Sequence, residues 1–327
     1  MRALNTIRKM LGQQVAPRVA RPFDEEGYLR NYPDVASAVA RGDFASGWQH
    51  YETHGRREGL STSSSIAPAR DISQAKAEKR NRLRPLLRTD LPMHETPGCC
   101  DFLSESLRAE FNIVDTDAVS SCNYDGHVLG LIERHRDGLV LDCGAGKRQI
   151  YYPNVVNFEI VAYDTTDVRG VGEVLPFVDG AFDAIISIAV LEHVKDPFAC
   201  ATEIARVLKP GGELICCVPF LQPYHGYPHH YYNMTHQGLR NLFEQAIDVD
   251  RIEVYDSVLP IWSLAWIVES WANGLRGATR EAFLDMRLRD LTAPPQQFLK
   301  MPFVRELSPE KNLELASASV LFGKKKS

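Results

Sequence analysis

The chain has 327 residues, of which 44% are hydrophobic and 24% are charged, so it can bury a sizeable core and is not of the disordered or fibrous classes. Its formal net charge of -5 provides no basic field over the whole chain, and nucleic acid is therefore not an expected partner. Seven cysteines without a CxxC spacing are typical of free, buried thiols in a reducing compartment, which predicts a cytoplasmic protein.

Two segments bear on membrane contact. Residues 1–22 carry several basic side chains and no acid, but they lack the apolar core of a secretory signal. We predict a solvated terminus, with weak contact to an anionic membrane surface or a transit peptide as the alternatives. The apolar stretch Val258–Ala272 is interrupted by Pro260 and Glu269 and is short for a span of about 20 apolar residues, so no transmembrane helix is expected. We predict that it packs in the core, with a substrate lid or an interfacial helix as alternatives.

Residues 23–60 form a predicted small helical module. Val35, Ala38 and Val39 have helical spacing, and an aromatic stripe of Phe44, Trp48 and Tyr51 follows. The segment resembles a short bacterial module of the form FDexYYLxxNPDVAxAVxxGxxxSGxxHYxxxGxxEGR, often attached to surface-polysaccharide or secreted proteins. The resemblance assigns no chemistry, and the aromatic stripe is predicted to pack in a core rather than to bind a ligand.

A linker and a basic helix are predicted over residues 61–100. A Ser/Thr-rich run leads into a segment with Lys76, Lys79 and Arg80, which indicates a flexible connection followed by a solvated basic helix. The main domain is predicted to occupy residues 101–327 and to begin with two amphipathic helices before residue 137.

From residue 138 onwards, short apolar runs alternate with amphipathic segments. This alternation predicts an α/β fold with a doubly wound, mostly parallel, seven-stranded Rossmann-like sheet, preceded by the small helical module. The clearest helix spans residues 196–208, with Asp196 as its cap and Pro197 in its first turn. The last strand is predicted at Leu315–Gly323, on the far side of the sheet.

A glycine-rich turn follows the first apolar run of this domain. It reads Asp142-Cys143-Gly144-Ala145-Gly146, and glycines after a strand let the backbone approach a ligand at the carboxyl end of the sheet. The turn lacks the third glycine of a dinucleotide fingerprint, and its carboxylate suggests a cationic ligand end. The next strand ends in Glu159, where a carboxylate can accept hydrogen bonds from both hydroxyls of a ribose.

Several ordered motifs then resemble the class I S-adenosylmethionine-dependent methyltransferases. The motifs are Leu175-Pro176-Phe177, Asp183, Leu191-Glu192-His193 and Leu208-Lys209-Pro210-Gly211-Gly212. The resemblance spans about 185 residues. It implies a Rossmann-like enzyme with S-adenosyl-L-methionine as its cofactor.

The resemblance also implies which residues hold the cofactor. Gly144 and Gly146 would approach it, Asp142 would lie near its amino-acid end, Glu159 would bind the ribose and Ile160 would flank the adenine. The full set of implied cofactor residues is Asp142, Cys143, Gly144, Ala145, Gly146, Glu159, Ile160, Gly172, Glu173 and Ile188. Where the family commonly has Gly-Asp-Ala-Glu, this chain reads Gly170-Val171-Gly172-Glu173. Either Gly172 and Glu173 suffice for adenine, or the affinity for the cofactor is weakened.

The segment after the fifth strand is where such enzymes usually build the substrate pocket. Similar methyltransferases carry a PFxxPYHgyPxDYxRxT pattern there, and this chain has His230 and Asn233 at the aspartate and arginine positions. The predicted substrate-pocket residues are Tyr224, Tyr227, His230 and Tyr231. The candidate catalytic residues are His193, His225 and His229, because a histidine can deprotonate a hydroxyl acceptor near neutral pH.

A metal site at His225, His229 and His230 is the alternative to an aromatic, hydrogen-bonded pocket. No carboxylate or CxxC pair completes it in the local sequence, and we predict no metal. The leading hypothesis is a methyltransferase acting on an oxygen of a small molecule or glycan intermediate by direct displacement. The competing hypothesis is a catalytically degenerate cofactor-binding or interaction domain in an assembly.

Overall fold

The computed structural model describes residues 23–56, 60, 69, 71–96, 98–116, 123–226 and 228–320. The sequence predictions for the basic segment 1–22, for Tyr227 and for residues 321–323 lie outside these residues. The strands are β1 His94–Glu95, β2 Cys100–Asp101, β3 Val140–Cys143, β4 Val155–Glu159, β5 Val168–Arg169, β6 Phe182–Ile188 and β7 Leu208–Cys217. The helices are α1 Glu25–Asn31, α2 Pro33–Arg41, α3 Gly47–His50, α4 Ile72–Leu83, α5 Glu105–Phe111, α6 Gly126–Arg134, α7 Pro197–Val207, α8 His236–Phe243, α9 Pro260–Gly274, α10 Gly277–Leu284, α11 Pro302–Arg305 and α12 Pro309–Glu314.

The strands form one sheet in the order β1-β2-β5-β4-β3-β6-β7. Every neighbouring pair is parallel except β1 with β2 at the edge. In the central strand β3, Val140 is in register with Val155 of β4 on one side and with Ala184 of β6 on the other. The chain leaves β3 in one direction and returns to its opposite side with β6. The carboxyl ends of β3, β4 and β6 therefore surround a topological switch point, where open α/β sheets bind ligands.

The predicted Rossmann-like sheet is confirmed, but one of its predicted strands is wrong. Residues 316–320 form no strand, and Val320 is 78% exposed. The seventh strand comes instead from the opposite edge, where β1 pairs with β2. An alternating apolar pattern predicts an extended segment only if a sheet edge is available to bury it, and the pattern alone does not identify that edge.

Burial explains why the central strands form. All four residues of β3 are buried, and four of the five residues of β4 are too, as expected for strands covered on both faces. Helix α7 begins as predicted: the side chain of Asp196 accepts hydrogen bonds from the backbone N–H groups of Phe198 and Ala199, and Pro197 occupies the first turn. Its apolar stripe, including Ile204, packs on the sheet core.

The N-terminal helices share a core with the sheet. Tyr28, Tyr32 and Val35 pack in one cluster of buried residues with Val128 and Leu131 of α6. Of the predicted aromatic stripe, Phe44 and Tyr51 are half-buried, whereas Trp48 is 46% exposed. The described part of the 23–60 segment is therefore anchored to the larger domain by apolar burial.

The basic segment after the predicted linker forms a helix as expected, but solvent does not surround it, because Ala75, Lys79 and Leu83 are buried. Helix α4 is 12 residues long and lies against the sheet. Lys79 is buried and its Nζ donates to Asp167 Oδ2 at 2.9 Å and to the backbone oxygen of Val155. Nζ of Lys76 donates to the backbone oxygens of Asp164 and Thr166. Because these lysines contact the first residue of β4 and the loop before β5, one face of the helix is attached to the sheet.

The apolar stretch 258–272 forms helix α9, and its two ends have different surroundings. Trp271 packs in a small core with Phe283 and Phe303, and its indole N–H donates to the backbone oxygen of Phe303 at 2.8 Å. Ile261 is 60% exposed and Trp262 is 49% exposed. The predicted core placement is therefore correct for the carboxyl end and wrong for the amino end. Among the described residues, no helix combines the length and the hydropathy needed to cross a bilayer.

Candidate active site

A cleft-shaped cavity with about 1000 Å³ of empty space, part of which is open solvent, lies at the carboxyl ends of β3, β4 and β6. Its wall includes the loop after β3, in which Gly144 has φ +87° and Gly146 has φ +62°. These left-handed conformations favour glycine. A Cβ atom on Gly144 would stand 2.4 Å from Cγ2 of Val190, so the close approach of the two loops also requires glycine. Cys143 and Ala145 line the same cavity.

Glu159 ends β4 and faces the glycine loop. Its Oε2 accepts a hydrogen bond from the backbone N–H of Gly146 at 2.8 Å, and its Oε1 accepts from the N–H of Ile160 at 2.8 Å. Burial raises the pKa of this carboxyl above the ordinary range, and the backbone hydrogen bonds oppose that shift. A carboxylate has about four lone-pair directions, so each oxygen still has room for a further donor from a ligand.

Asp142 has a different surrounding from the one that the sequence suggested. It is buried, it is not part of the cavity wall, and its Oδ2 accepts from Tyr124 Oη at 2.5 Å and from Arg148 Nη2 at 2.6 Å. Arg148 also stands over the ring of Tyr124, 4.1 Å from its centre. Asp142 Oδ1 has no hydrogen-bond partner among the described residues. The charge of Asp142 is therefore balanced by the protein's own arginine.

The remaining predicted cofactor residues all line the cavity. They are Ile160, Gly172, Glu173 and Ile188. Glu173 is buried, and its Oε1 accepts from the backbone N–H of Lys195 at 3.0 Å and of Asp196 at 3.3 Å. This carboxylate therefore holds the turn that starts α7. Val171, at the position where the family pattern has aspartate, is buried and contributes an apolar surface to the cavity.

The sequence interpretation missed part of the cavity wall. Ala189 follows β6 with φ +55°, a left-handed conformation that is uncommon for a residue with a Cβ and that clusters at functional sites. Phe111, the last residue of α5, and Ile113, two residues later, cover the cavity from a segment more than 25 residues before the glycine loop. The apolar spacing of α5 predicted a helix but gave no signal for the contact, because the contact depends on the tertiary fold.

The three candidate catalytic histidines lie in one region, but only two of them line the cavity. His193 and His229 line the cavity, and His225 lies behind His193 with a ring-centre separation of 5.2 Å. Nδ1 of His193 donates to the backbone oxygen of His229 at 2.6 Å, and Nε2 of His229 is 3.0 Å from the backbone oxygen of Asn112. Burial lowers the pKa of His193 to about 4, so its ring is neutral at pH 7 and Nε2 carries the lone pair.

Glu192 lies beside His193 in the turn after β6. Its side chain is fully buried, both carboxyl oxygens lack a hydrogen-bond partner among the described residues, and Oε1 is 3.7 Å from Nε2 of His193. Burial raises the pKa of Glu192 to about 7. The sequence analysis used this glutamate only as part of a motif, because its lack of hydrogen-bond partners among the described residues is a property of the packed structure.

Of the predicted substrate-pocket residues, Tyr224, His230 and Tyr231 lie on the loop after β7 and do not line the cavity. Tyr224 is 50% exposed and stacks on the ring of His230 at 5.6 Å. The hydroxyl of Tyr231 accepts from Asn112 Nδ2 at 3.3 Å. Nδ1 of His230 accepts from the backbone N–H of His225 at 3.0 Å. The loop therefore forms an aromatic rim next to the histidines.

Two features together define the class of protein. The sheet order puts a switch point at β3, and the loop there pairs left-handed glycines with an acidic residue at the end of the next strand. Such an arrangement is typical of a Rossmann-like domain that binds a nucleoside-containing cofactor.

Comparison with known proteins narrows this class. Residues 142–216 match the model of the methyltransferase domain family. An uncharacterized methyltransferase of Mycobacterium sp. (strain JLS) is 40% identical over 70 residues, which is 21% of this chain and 27% of the relative. The ubiquinone biosynthesis O-methyltransferase of Cereibacter sphaeroides is 27% identical over 146 residues, which is 38% of this chain and 53% of the relative. The solved 1,6-didemethyltoxoflavin-N1-methyltransferase of Burkholderia thailandensis is 15% identical, with a TM-score of 0.28 over 75% of this chain and 89% of that one.

The match over residues 142–216 confirms the resemblance to the S-adenosylmethionine-dependent methyltransferases that the sequence motifs carry. The chain spans about a quarter of the length of the mycobacterial relative and about half of the ubiquinone enzyme. The match begins at Asp142 and ends within β7, so it contains the glycine loop, Glu159 and the Glu192-His193 turn.

Proposed function

We propose that this protein uses S-adenosyl-L-methionine to methylate an oxygen of a small molecule or glycan intermediate. The observation that carries the proposal is the position of Glu159, held by backbone N–H groups of Gly146 and Ile160 at the mouth of the glycine loop. A fixed carboxylate at this point is suited to the two hydroxyls of a ribose, because it accepts hydrogen bonds and donates none while ionised.

The amino-acid end and the adenine of the cofactor also find suitable surfaces on the cavity wall. Gly144 and Gly146 let the backbone approach the amino-acid end of the ligand, while Ile160, Val171 and Ile188 provide the apolar surface that a purine ring requires. Oδ1 of Asp142, which has no hydrogen-bond partner among the described residues, lies on the strand that leads into this loop. The apolar Val171 means that adenine recognition depends on packing and on backbone groups near Gly172.

Methyl transfer requires the protein mainly to position the two reactants. The acceptor oxygen attacks the methyl carbon, the carbon–sulfur bond breaks with its electron pair going to sulfur, and the hydroxyl proton must leave. The protein therefore has to hold the acceptor in line with the methyl group and to exclude water. Phe111 and Ile113 cover the cavity and supply that apolar cover.

We assign the acceptor side of the cavity to His193 and His229. Both histidines line the cavity, and the aromatic rim formed by Tyr224 and Tyr231 lies next to them. Since Nδ1 of His193 donates to a backbone oxygen, Nε2 is the atom of this residue that can accept a proton or bind a cation. The ubiquinone relative is named an O-methyltransferase, which supports oxygen as the acceptor atom. Modules that resemble the N-terminal one are often attached to surface-polysaccharide proteins, which supports a glycan.

The departures at His230 and Asn233 do not favour a degenerate domain. Nε2 of His230 and Oδ1 of Asn233 are 2.7 Å apart, and Nδ2 of Asn233 donates to the backbone oxygen of Gln222 at 2.9 Å. These two residues thus form a hydrogen-bonded pair that ties the substrate loop together. The two departures therefore leave the loop beside the cavity ordered by hydrogen bonds, and they are not by themselves a sign of lost activity.

The test of cofactor binding is a calorimetric titration with S-adenosylmethionine and with its demethylated product. We expect one site per chain, and we expect Glu159→Ala to weaken binding by about 10- to 150-fold, because hydrogen bonds to a charged group contribute about 1.5–3 kcal/mol. Glu133→Ala is the matched control, since Glu133 is a surface carboxylate on α6 that pairs with Arg136 at 3.6 Å. A folded protein that binds neither ligand would refute the proposal.

The test of the acceptor follows the methyl group. We expect isotope-labelled methyl from S-adenosylmethionine to appear as a methoxy group, detected by NMR, when phenolic, quinol and sugar hydroxyl compounds are offered in turn. Label on nitrogen or carbon would overturn the choice of oxygen. Tight cofactor binding without transfer to any of these acceptors would favour the degenerate cofactor-binding domain instead.

A further inference from the structure

We propose that Glu192, His193 and His225 form a binding site for a divalent transition-metal cation, with zinc or iron(II) as the fitting ions. One ligand atom from each residue lies within 4.8 Å of the others. Two ligands that each lie about 2.0–2.2 Å from one ion are at most about 4.4 Å apart, so small side-chain rotations bring the three atoms into range. Two histidines and one carboxylate are a common set for catalytic zinc and for non-haem iron.

The carboxyl group of Glu192 is the main support for a metal site. A fully buried carboxyl with no hydrogen-bond partner among the described residues is costly, because an ionised carboxylate in an apolar interior requires a compensating charge or donor. Glu192 Oε1 stands 3.7 Å from Nε2 of His193, a distance that suits two ligands of one ion. A cation between these atoms would supply the missing compensation for Glu192.

Both histidines are oriented as metal ligands usually are. Nδ1 of His193 donates to the backbone oxygen of His229 at 2.6 Å, and Nδ1 of His225 is 2.8 Å from the backbone oxygen of Pro223. Ligating histidines typically donate their other ring N–H to a carbonyl, which fixes the tautomer and turns Nε2 towards the ion. The site combines the turn after β6 with the loop after β7, which are more than 30 residues apart, so the local sequence did not indicate it.

The neighbouring histidines are excluded by their own hydrogen bonds. Nδ1 of His230 accepts from the backbone N–H of His225, and its Nε2 lies 2.7 Å from Asn233 Oδ1. Nε2 of His229 contacts Asn112. The sequence alone suggested His225, His229 and His230 as metal ligands, without a carboxylate. The proposed set keeps only His225 of these and adds the carboxylate of Glu192.

The site deepens the proposed function without depending on cofactor binding. His193 lines the cavity, so an ion held by its Nε2 would lie at the acceptor side. A bound cation lowers the pKa of a coordinated hydroxyl, which supplies the deprotonation that an oxygen acceptor needs. In the loaded protein Nε2 of His193 is a ligand rather than a proton acceptor.

The test uses the full chain, purified without a histidine tag and stripped of metal with a chelator. We expect calorimetric titration with Zn²⁺ alone to show one site per chain, and Co²⁺ to give visible absorption bands on binding. Glu192→Gln and His225→Ala should each weaken Zn²⁺ binding by more than about tenfold and remove the Co²⁺ bands, since the loss of even a residue that hydrogen-bonds a metal ligand costs about 10- to 100-fold.

The control is His236→Ala, which removes an exposed histidine at the start of α8 and should leave Zn²⁺ affinity within about twofold of the unmodified chain. Urea denaturation checks that each variant is folded, and His225→Gln replaces His225→Ala if the alanine variant is not. No Zn²⁺ binding, or binding that survives both ligand substitutions, would overturn the proposal. Because the titration contains no S-adenosylmethionine, this failure would leave the cofactor site untouched.

Discussion

Replacing Gly144 with alanine tests whether the glycine loop is built for close approach. The residue has φ +87°, and placing an L side chain in the left-handed region costs about 1–2 kcal/mol. The new Cβ would lie 2.4 Å from Cγ2 and 2.7 Å from Cγ1 of Val190, and such overpacking costs about 1–3 kcal/mol. We expect urea denaturation to show a loss of about 2–5 kcal/mol in the free energy of unfolding. Affinity for S-adenosylmethionine should fall with it, because Gly144 lines the cavity.

A second substitution separates the two causes. In Gly144→Ala/Val190→Ala the two closest contacts are removed, the contact to Cβ of residue 190 at 3.2 Å stays, and the unfavourable φ remains, so a double-mutant cycle should return about 1–3 kcal/mol of coupling. Gly130→Ala is the control, since Gly130 lies inside α6 and a Cβ atom added there would stand 3.5 Å from its nearest neighbour, so alanine should stabilise by up to about 1 kcal/mol. A Gly144→Ala loss below about 1 kcal/mol, or no coupling to Val190, would refute the reasoning.

Three further results are expected. Arg148→Met should lower the free energy of unfolding by about 3–5 kcal/mol in urea denaturation, because it leaves Asp142 buried without its countercharge, and adding Asp142→Asn should restore part of the loss. Calorimetry over a pH series should show cofactor affinity falling as the pH drops, and the fall should begin above the ordinary glutamate range because the pKa of Glu159 is raised. Glu159→Gln should abolish this pH dependence. A rise in affinity at low pH would contradict the expectation. Tyr32→Ala should cost about 3–5 kcal/mol, because the N-terminal helices share the core of α6, and a loss below about 1 kcal/mol would mean that they do not.

The features that the sequence predicted well are those with local causes. The strand before Asp142, the glycines of the loop and the cap of α7 each depend on a few neighbouring residues, and the structure has them where they were expected. The position of Glu159 followed in the same way, because the end of a parallel strand next to β3 has to lie beside the loop.

The features that the sequence did not reveal depend on distant contacts. Lys79 lies in a basic run that suggests solvent, yet its partner Asp167 is 88 residues away. The contact of Asn112 with His229 spans 117 residues, and the isolation of Glu192 from polar partners exists only after the sheet has packed. No periodicity encodes such pairings, since tertiary burial decides them.

The measurement that tests the central claim most directly is a crystal structure of the full chain with S-adenosylhomocysteine at saturating concentration. We expect the ligand in the cavity at the carboxyl end of β3, with both ribose hydroxyls within about 3.2 Å of the Glu159 carboxylate and the amino-acid end against the Gly144–Gly146 loop. Ligand bound elsewhere, or ribose hydroxyls without contact to Glu159, would contradict the account.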